Sequence, residues 1–273
     1  MTFDVLDSII LGLVQGLTEF LPVSSSGHLV VMKNLLDITE APLMFDIFFH
    51  FATLLSICTV FRSDIKRIIL SLINLMKSLP DSGAKRKESF ETNEIKLVYN
   101  LIAGTIPAVI AGLLFKDRIE QFFSSTSAVA AAFLITGLVL LTTKIVKVKD
   151  EKLTVKRSVI IGIFQAAALF PGISRSGTTI TSGMWTGIRP EEAVKFSFFL
   201  AIPAILGANI LEFSGLSLEF LKQEILLLAV GGIAAYVSGL AAIKIVMKLI
   251  QTGRFFIFGI YCILLGIITF IWI

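Results

Sequence analysis

Apolar residues dominate six long stretches of the chain, approximately 45–62, 96–115, 127–146, 191–213, 225–250 and 255–273. A helix needs roughly 17–25 residues to cross a bilayer, so each stretch predicts a transmembrane helix. Two further apolar segments, about 5–35 and 158–188, are broken midway, the first at Pro22 and Gly27, the second at Pro171, Gly172 and Gly177. A proline followed by a Ser/Gly run makes a poor helix interior. Such a break persists at membrane depth only where its backbone is buried in protein or lines a wet cavity. Both segments therefore predict a re-entrant hairpin, two helices joined by a loop inside the membrane.

The two broken segments match each other. Gln15–His28 reads QGLTEFLPVSSSGH and Gln165–Thr178 reads QAAALFPGISRSGT. Adding 150 to a number in the first gives its counterpart in the second: Gly12 and Gly162, Gln15 and Gln165, Phe20 and Phe170, Ser24 and Ser174, Ser26 and Ser176, Gly27 and Gly177. Beyond the hairpins, Phe48 and Phe49 fall on Phe198 and Phe199. Polar and glycine positions agreeing at one offset indicate two copies of one unit. The expected architecture is an all-α polytopic membrane protein, a single integral membrane domain of two repeats, 1–147 and 148–273, each one hairpin plus three spans. Three spans is an odd number, so the second copy lies upside down relative to the first, as in many transporters.

Composition agrees with the pattern: 273 residues, 55% hydrophobic and only 16% charged, with a mean hydropathy of +0.89. A soluble domain sits near 25% charged. The net charge of +4 implies no nucleic-acid partner, because the basic residues lie in loops beside apolar spans. Most of them fall in 62–96, 144–157 and 244–254, which the positive-inside rule places in the cytoplasm. The first hairpin then opens to the external face and the second to the cytoplasm, with both termini outside. No signal peptide is expected, since the first apolar segment contains Glu19 and His28 and lacks a basic start. Stretch 80–94 reads as a solvated loop, and Cys58 and Cys262 as inert buried thiols.

Where the copies differ, they differ in chemistry. The first has Glu19, Ser25 and His28 where the second has Leu169, Arg175 and Thr178. Gln15 and Glu19 are four residues apart and share a helix face. An ionisable group in a membrane segment costs about 2.5–3.5 kcal/mol on insertion scales and reads as functional. Ser24, Ser25, Ser26 and Gly27 at a helix break suit an anion. The Ser25–His28 spacing lets an imidazole reach a serine hydroxyl, the minimum for an activated nucleophile. Arg175 cannot shed its charge and must find an anion or water, and among Ser174, Ser176, Thr178 and Thr179 it reads as a phosphate clamp. An ion pair with Glu19 that opens on substrate binding is compatible with that role. Asp46 and His50 share a face and can reach the site, but a structural role is favoured for both; Arg189, Glu191, Glu192 and Lys195 read as the solvated start of a span.

On these motifs the chain resembles the undecaprenyl-diphosphate phosphatase, or bacitracin-resistance, family over essentially its whole length. The family pattern (E/Q)-x-x-x-E…P-V-S-S-[ST]-G-H falls on Gln15–His28 and P-G-x-S-R-S-G-x-T on Pro171–Thr179. Gln at position 15 is a permitted variant that removes one metal ligand, so Glu19 is the firmer metal residue; Ala52 stands where the family usually has Gly. The resemblance implies hydrolysis of a C55-isoprenyl diphosphate to the monophosphate at the external face of the bacterial cell membrane, with Mg²⁺ or Ca²⁺. That reaction recycles the lipid carrier for peptidoglycan and counters bacitracin. It also implies Ser25 as nucleophile and His28 and Arg175 as essential residues, with Glu19 as metal ligand or orienter of His28 and His28 as the base for Ser25. His28 as nucleophile, or attack by a metal-bound water, stays open. A homodimer is compatible with the sequence. The alternative function is a transporter or flippase of the lipid phosphate. A phosphatidic-acid-type phosphatase is disfavoured, because the second histidine, His50, is followed four residues later by Leu54 and not by Asp.

Overall fold

The computed structural model describes residues 3–38, 43–80, 83–147, 149–213 and 223–272. Among them there is no strand: the chain is an all-α, multi-pass membrane protein. The first hairpin is α1 (Val5–Phe20) and α2 (Ser25–Leu35). It is followed by α3 (Leu43–Val60), α4 (Arg62–Ser78), the short α5 (Ala84–Phe90), α6 (Asn93–Leu114), α7 (Lys116–Phe123) and α8 (Thr126–Leu141). The second hairpin is α9 (Val155–Ala167) and α10 (Arg175–Trp185), after which come α11 (Pro190–Phe213), α12 (Ile225–Gln251) and α13 (Ile257–Trp272). Residues 81–82 of the expected 80–94 loop, and Ile273 at the end of the last expected span, lie outside the described residues.

Among the described residues four helices are long and apolar enough to cross a bilayer, Asn93–Leu114, Thr126–Lys144, Pro190–Ile210 and Ile225–Gln251, and the bent pair Met44–Val60 and Arg62–Ser78 makes a fifth candidate. The span expected over 45–62 ends at Val60, where the chain turns by 83° into α4. That helix replaces a stretch read as loop. Its apolar residues Ile65, Ile68, Ile69, Leu72, Ile73 and Met76 recur at helical spacing, with Ser63, Arg67, Ser71 and Asn74 on the opposite face. The last expected span is a 16-residue apolar helix, α13, about 24 Å long and so short of a bilayer core of about 30 Å. The expected 80–94 loop contains α5, whose Ala-Lys-Arg-Lys-Glu run favours a helix.

Both broken segments are broken as expected. α1 has 16 residues and α9 has 13, so neither arm reaches through a bilayer by itself. Each hairpin packs its first arm across a helix from the other half of the chain, α1 on α12 and α9 on α6. The crossings are made the same way. A Cβ on Gly12 would collide with the backbone of Gly231, and a Cβ on Gly162 with that of Gly104. Small residues let the helix axes approach closely where lipid offers no hydrophobic drive to associate. The exchange of arms brings the two hairpin tips together at the centre, over a core that includes Phe20, Val23, Ile161, Ile180, Phe198 and Phe199.

Candidate active site

The site grows from one face of α1. Ser8, Gly12, Gln15 and Glu19 recur at three- and four-residue spacing and are all buried. The Gln15 amide donates to Glu19 Oε2 at 3.0 Å, aiming the carboxylate at the end of its helix. Pro22 cannot continue the helix. Ser24 then caps α2, taking the Gly27 N–H on its hydroxyl. Ser25 is the first residue of α2, and its hydroxyl donates to Glu19 Oε2 at 2.6 Å.

The second hairpin supplies the opposite charge. Ser174 caps α10 by accepting the Gly177 N–H at 3.0 Å, so Arg175 is the first residue of that helix, as Ser25 is of α2. Its guanidinium donates to Glu19 Oε1 at 3.1 Å and to the Ser197 carbonyl at 3.2 Å. The Glu19 and Arg175 side chains are 5% and 15% exposed, so the pair is largely withdrawn from solvent and its partners are fixed. The tips are stitched directly: Gly172 N–H donates to Ser24 Oγ at 3.1 Å and Ser176 Oγ to the Leu21 carbonyl at 3.2 Å. Two helix N-termini and a guanidinium thus converge beside one carboxylate and one half-buried serine hydroxyl, a place built for an anion.

The sequence-predicted residues divide into two groups. Gln15, Glu19, Ser25 and Arg175 come together as described. The hydroxyls expected to bind phosphate make bonds within the scaffold in this structure. Ser174 caps its helix, Thr178 donates to the Ser174 carbonyl at 2.8 Å, Thr179 to the Arg175 carbonyl at 2.7 Å, and Ser176 reaches Leu21. Ser24 and the Gly27 N–H are consumed in the first cap, and Ser26 Oγ lies 3.4 Å from Ser24 Oγ. A hydroxyl just before or inside the first turn of a helix satisfies that helix before any ligand. His28, expected as the base for Ser25, makes its hydrogen bonds elsewhere in this structure. Its Nδ1 is 2.8 Å from the Ser24 carbonyl and its Nε2 2.8 Å from the Tyr261 hydroxyl, and Ser25 is bonded to Glu19.

Residues outside the expected catalytic set also border the site. His50, for which a structural role is favoured above, places Nε2 3.6 Å from Glu19 Oε2 and anchors Nδ1 on the Asp46 carbonyl at 2.7 Å. Its partner on the face, Asp46, pairs with Lys33 at 2.6 Å. Thr136 on α8 donates to the Gly172 carbonyl at 2.9 Å and accepts the Ser174 N–H at 3.1 Å, bracing the loop that carries Arg175. Only the short polar spacing of Asp46 and His50 hints at any of these in the sequence.

The described residues hold no group of three or more His, Cys, Asp or Glu placed for a metal. The donor set here is one carboxylate, Glu19, and the Gln15 amide oxygen, a buried atom without a hydrogen-bond partner among the described residues. A cation held there would have Glu19 as its one charged ligand and would take most of its other ligands from water and substrate phosphates.

Fold and site define a multi-pass membrane protein whose broken helices meet around a buried acid–hydroxyl–guanidinium cluster. A family model described as "Bacitracin resistance protein BacA" matches residues 8–268. The chain is 42% identical to the Undecaprenyl-diphosphatase of Methanobrevibacter smithii, covering 98% of this chain and 97% of that one. It is 40% identical to that of Methanosphaera stadtmanae, covering 98% of each, and 39% identical to that of Thermosipho africanus, covering 97% and 99%. The chain belongs to the bacitracin-resistance protein family.

Proposed function

We propose that this chain hydrolyses undecaprenyl diphosphate to undecaprenyl phosphate and inorganic phosphate, the activity its relatives are named for. The observation that carries the reading is the cluster at the hairpin tips, where the Ser25 hydroxyl and the Arg175 guanidinium share the two oxygens of Glu19. A diphosphate is costly to hold at membrane depth unless its charge is matched. Arg175 and the positive N-terminal ends of α2 and α10 match it, so catalysis rests on positioning and charge stabilisation.

In the step we infer, Ser25 Oγ attacks the terminal phosphorus and its proton passes to Glu19 Oε2. The anhydride P–O bond breaks, and its electron pair leaves with the lipid monophosphate oxygen. Water then attacks the phosphoserine, the P–O bond to Ser25 breaks, Glu19 returns its proton to Ser25 Oγ, and the oxygen and both hydrogens of that water leave with inorganic phosphate. Arg175, released from Glu19, follows the phosphoryl oxygens while Ser197 keeps its other arm in place. Glu19 and Gln15 would hold a divalent cation, Mg²⁺ or Ca²⁺, which when bound supplies further neutralisation of the phosphates. The positive-inside rule applied to the basic loops supports a first hairpin whose mouth opens at the external face of the cell membrane, and the match at an offset of 150 supports inverted repeats with both hairpins re-entrant. There the reaction would return the lipid carrier to peptidoglycan synthesis and oppose bacitracin.

The test is phosphate release from undecaprenyl diphosphate by the purified full-length chain, with and without EDTA, beside Arg175→Ala. Release by the wild type, abolished in the variant and lowered by EDTA, supports the reading. A wild type that releases none overturns it.

A further inference from the structure

The two helix caps that meet at the site carry the same residue in different backbone conformations. Ser174 has φ −75° and ψ 119°, an ordinary extended cap. Ser24 has φ 68° and ψ 98°, on the left-handed side that a residue with a Cβ rarely adopts. Strain of this kind persists where the surroundings hold it, and it gathers at functional sites. Here it falls on the residue directly before Ser25.

The hold on Ser24 can be traced atom by atom. Its hydroxyl accepts N–H groups from Gly27 and Gly172, and its carbonyl accepts the His28 backbone N–H at 3.1 Å and the His28 ring at 2.8 Å. A carbonyl only accepts, so Nδ1 of His28 carries the proton. In the neutral ring Nε2 is then bare and accepts the Tyr261 hydroxyl at 2.8 Å. The ring is buried, with the edge of Phe133 at 5.3 Å and the Tyr261 ring near-parallel at 6°. In the second hairpin Thr178 makes the same reach, Oγ1 to the Ser174 carbonyl at 2.8 Å, and shares its hydroxyl with the Arg175 carbonyl at 3.2 Å on its own helix. The bond from the fourth residue back to the cap carbonyl is therefore common to both hairpins. What histidine adds is an anchor on the last helix of the chain.

We propose that His28 and Tyr261 form a strut that holds Ser24 in its left-handed conformation and so keeps the Ser25 hydroxyl on Glu19. The proposal rests on the phosphatase reading above and makes both residues positioning residues. The Ser25 proton goes to Glu19, and the imidazole keeps one tautomer throughout.

The experiment compares His28→Thr, His28→Ala and Tyr261→Phe in the full-length chain, with phosphate release resolved into kcat and KM. Threonine can restore the bond to the cap carbonyl but cannot act as a base. His28→Thr is expected to keep about tenfold more activity than His28→Ala, the worth of one buried hydrogen bond. Tyr261→Phe is expected to lose about tenfold in kcat with KM unchanged. A His28→Thr variant no better than His28→Ala, or a Tyr261→Phe variant at wild-type kcat, overturns the strut. The chain has 2 histidines, so ¹⁵N-histidine NMR in lipid nanodiscs gives an arm independent of activity. Tyr261→Phe should move the Nε2 signal of one ring from its hydrogen-bonded position while Nδ1 stays protonated. An unmoved spectrum overturns the contact even if the wild type releases no phosphate, a result that would sink the phosphatase reading separately.

Discussion

The two hairpins are built alike and loaded differently. Each crosses a helix of the opposite half at paired glycines, each breaks at a proline, and each starts its second arm under a serine cap. In the first, Gln15 finds Glu19 four residues on, and the carboxylate then gathers Ser25 and Arg175. In the second, Leu169 stands where Glu19 would be, and both amide atoms of Gln165 are buried without a partner among the described residues. The scaffold is thus shared and the chemistry is not. One carboxylate on one face converts a structural crossing into a site, and one guanidinium on the other tip completes it.

Substitutions at three positions would break or sharpen this contrast, in falling order of effect. Glu19→Gln is nearly isosteric but removes the charge that Ser25 and Arg175 share, and should cost about 10³-fold in phosphate release, on the scale of losing a central catalytic group. Retention of most activity would return the base role to another residue. Arg175→Gln should cost about 10²-fold, with Arg175→Lys recovering only part. An ammonium cannot span the Glu19 carboxylate and the Ser197 carbonyl as the planar fork does. Gln165→Leu touches no site residue and removes two unpartnered polar atoms from the interior, so it should stabilise the protein by about 1 kcal/mol and leave turnover unchanged. A lower thermal midpoint in detergent would mean that Gln165 has a partner in solution.

Much of this arrangement is readable in the sequence, and the boundary falls at a physical line. The match at an offset of 150 locates both hairpins, because a proline and a Ser/Gly run must interrupt any helix, whatever surrounds it. Glu19 and Arg175 are legible for the same reason: a charge in an apolar segment demands a partner. Tyr261 and Thr136 are not legible. Each sits in an apolar helix far along the chain, and its importance comes from which helix the tertiary fold lays beside it. The serine and threonine hydroxyls mislead in the opposite way, since local capping claims them before a ligand can. The left-handed backbone of Ser24 has no signature at all, because the residue is the same one that relaxes at Ser174.

The central claim is that two segments 150 residues apart act as one site, and a double-mutant cycle between Glu19 and Arg175 tests it most directly. If the pair serves one transition state, Glu19→Gln combined with Arg175→Gln should be no worse than Glu19→Gln alone by more than about threefold. Losses that multiply, as for residues working independently, would contradict the account.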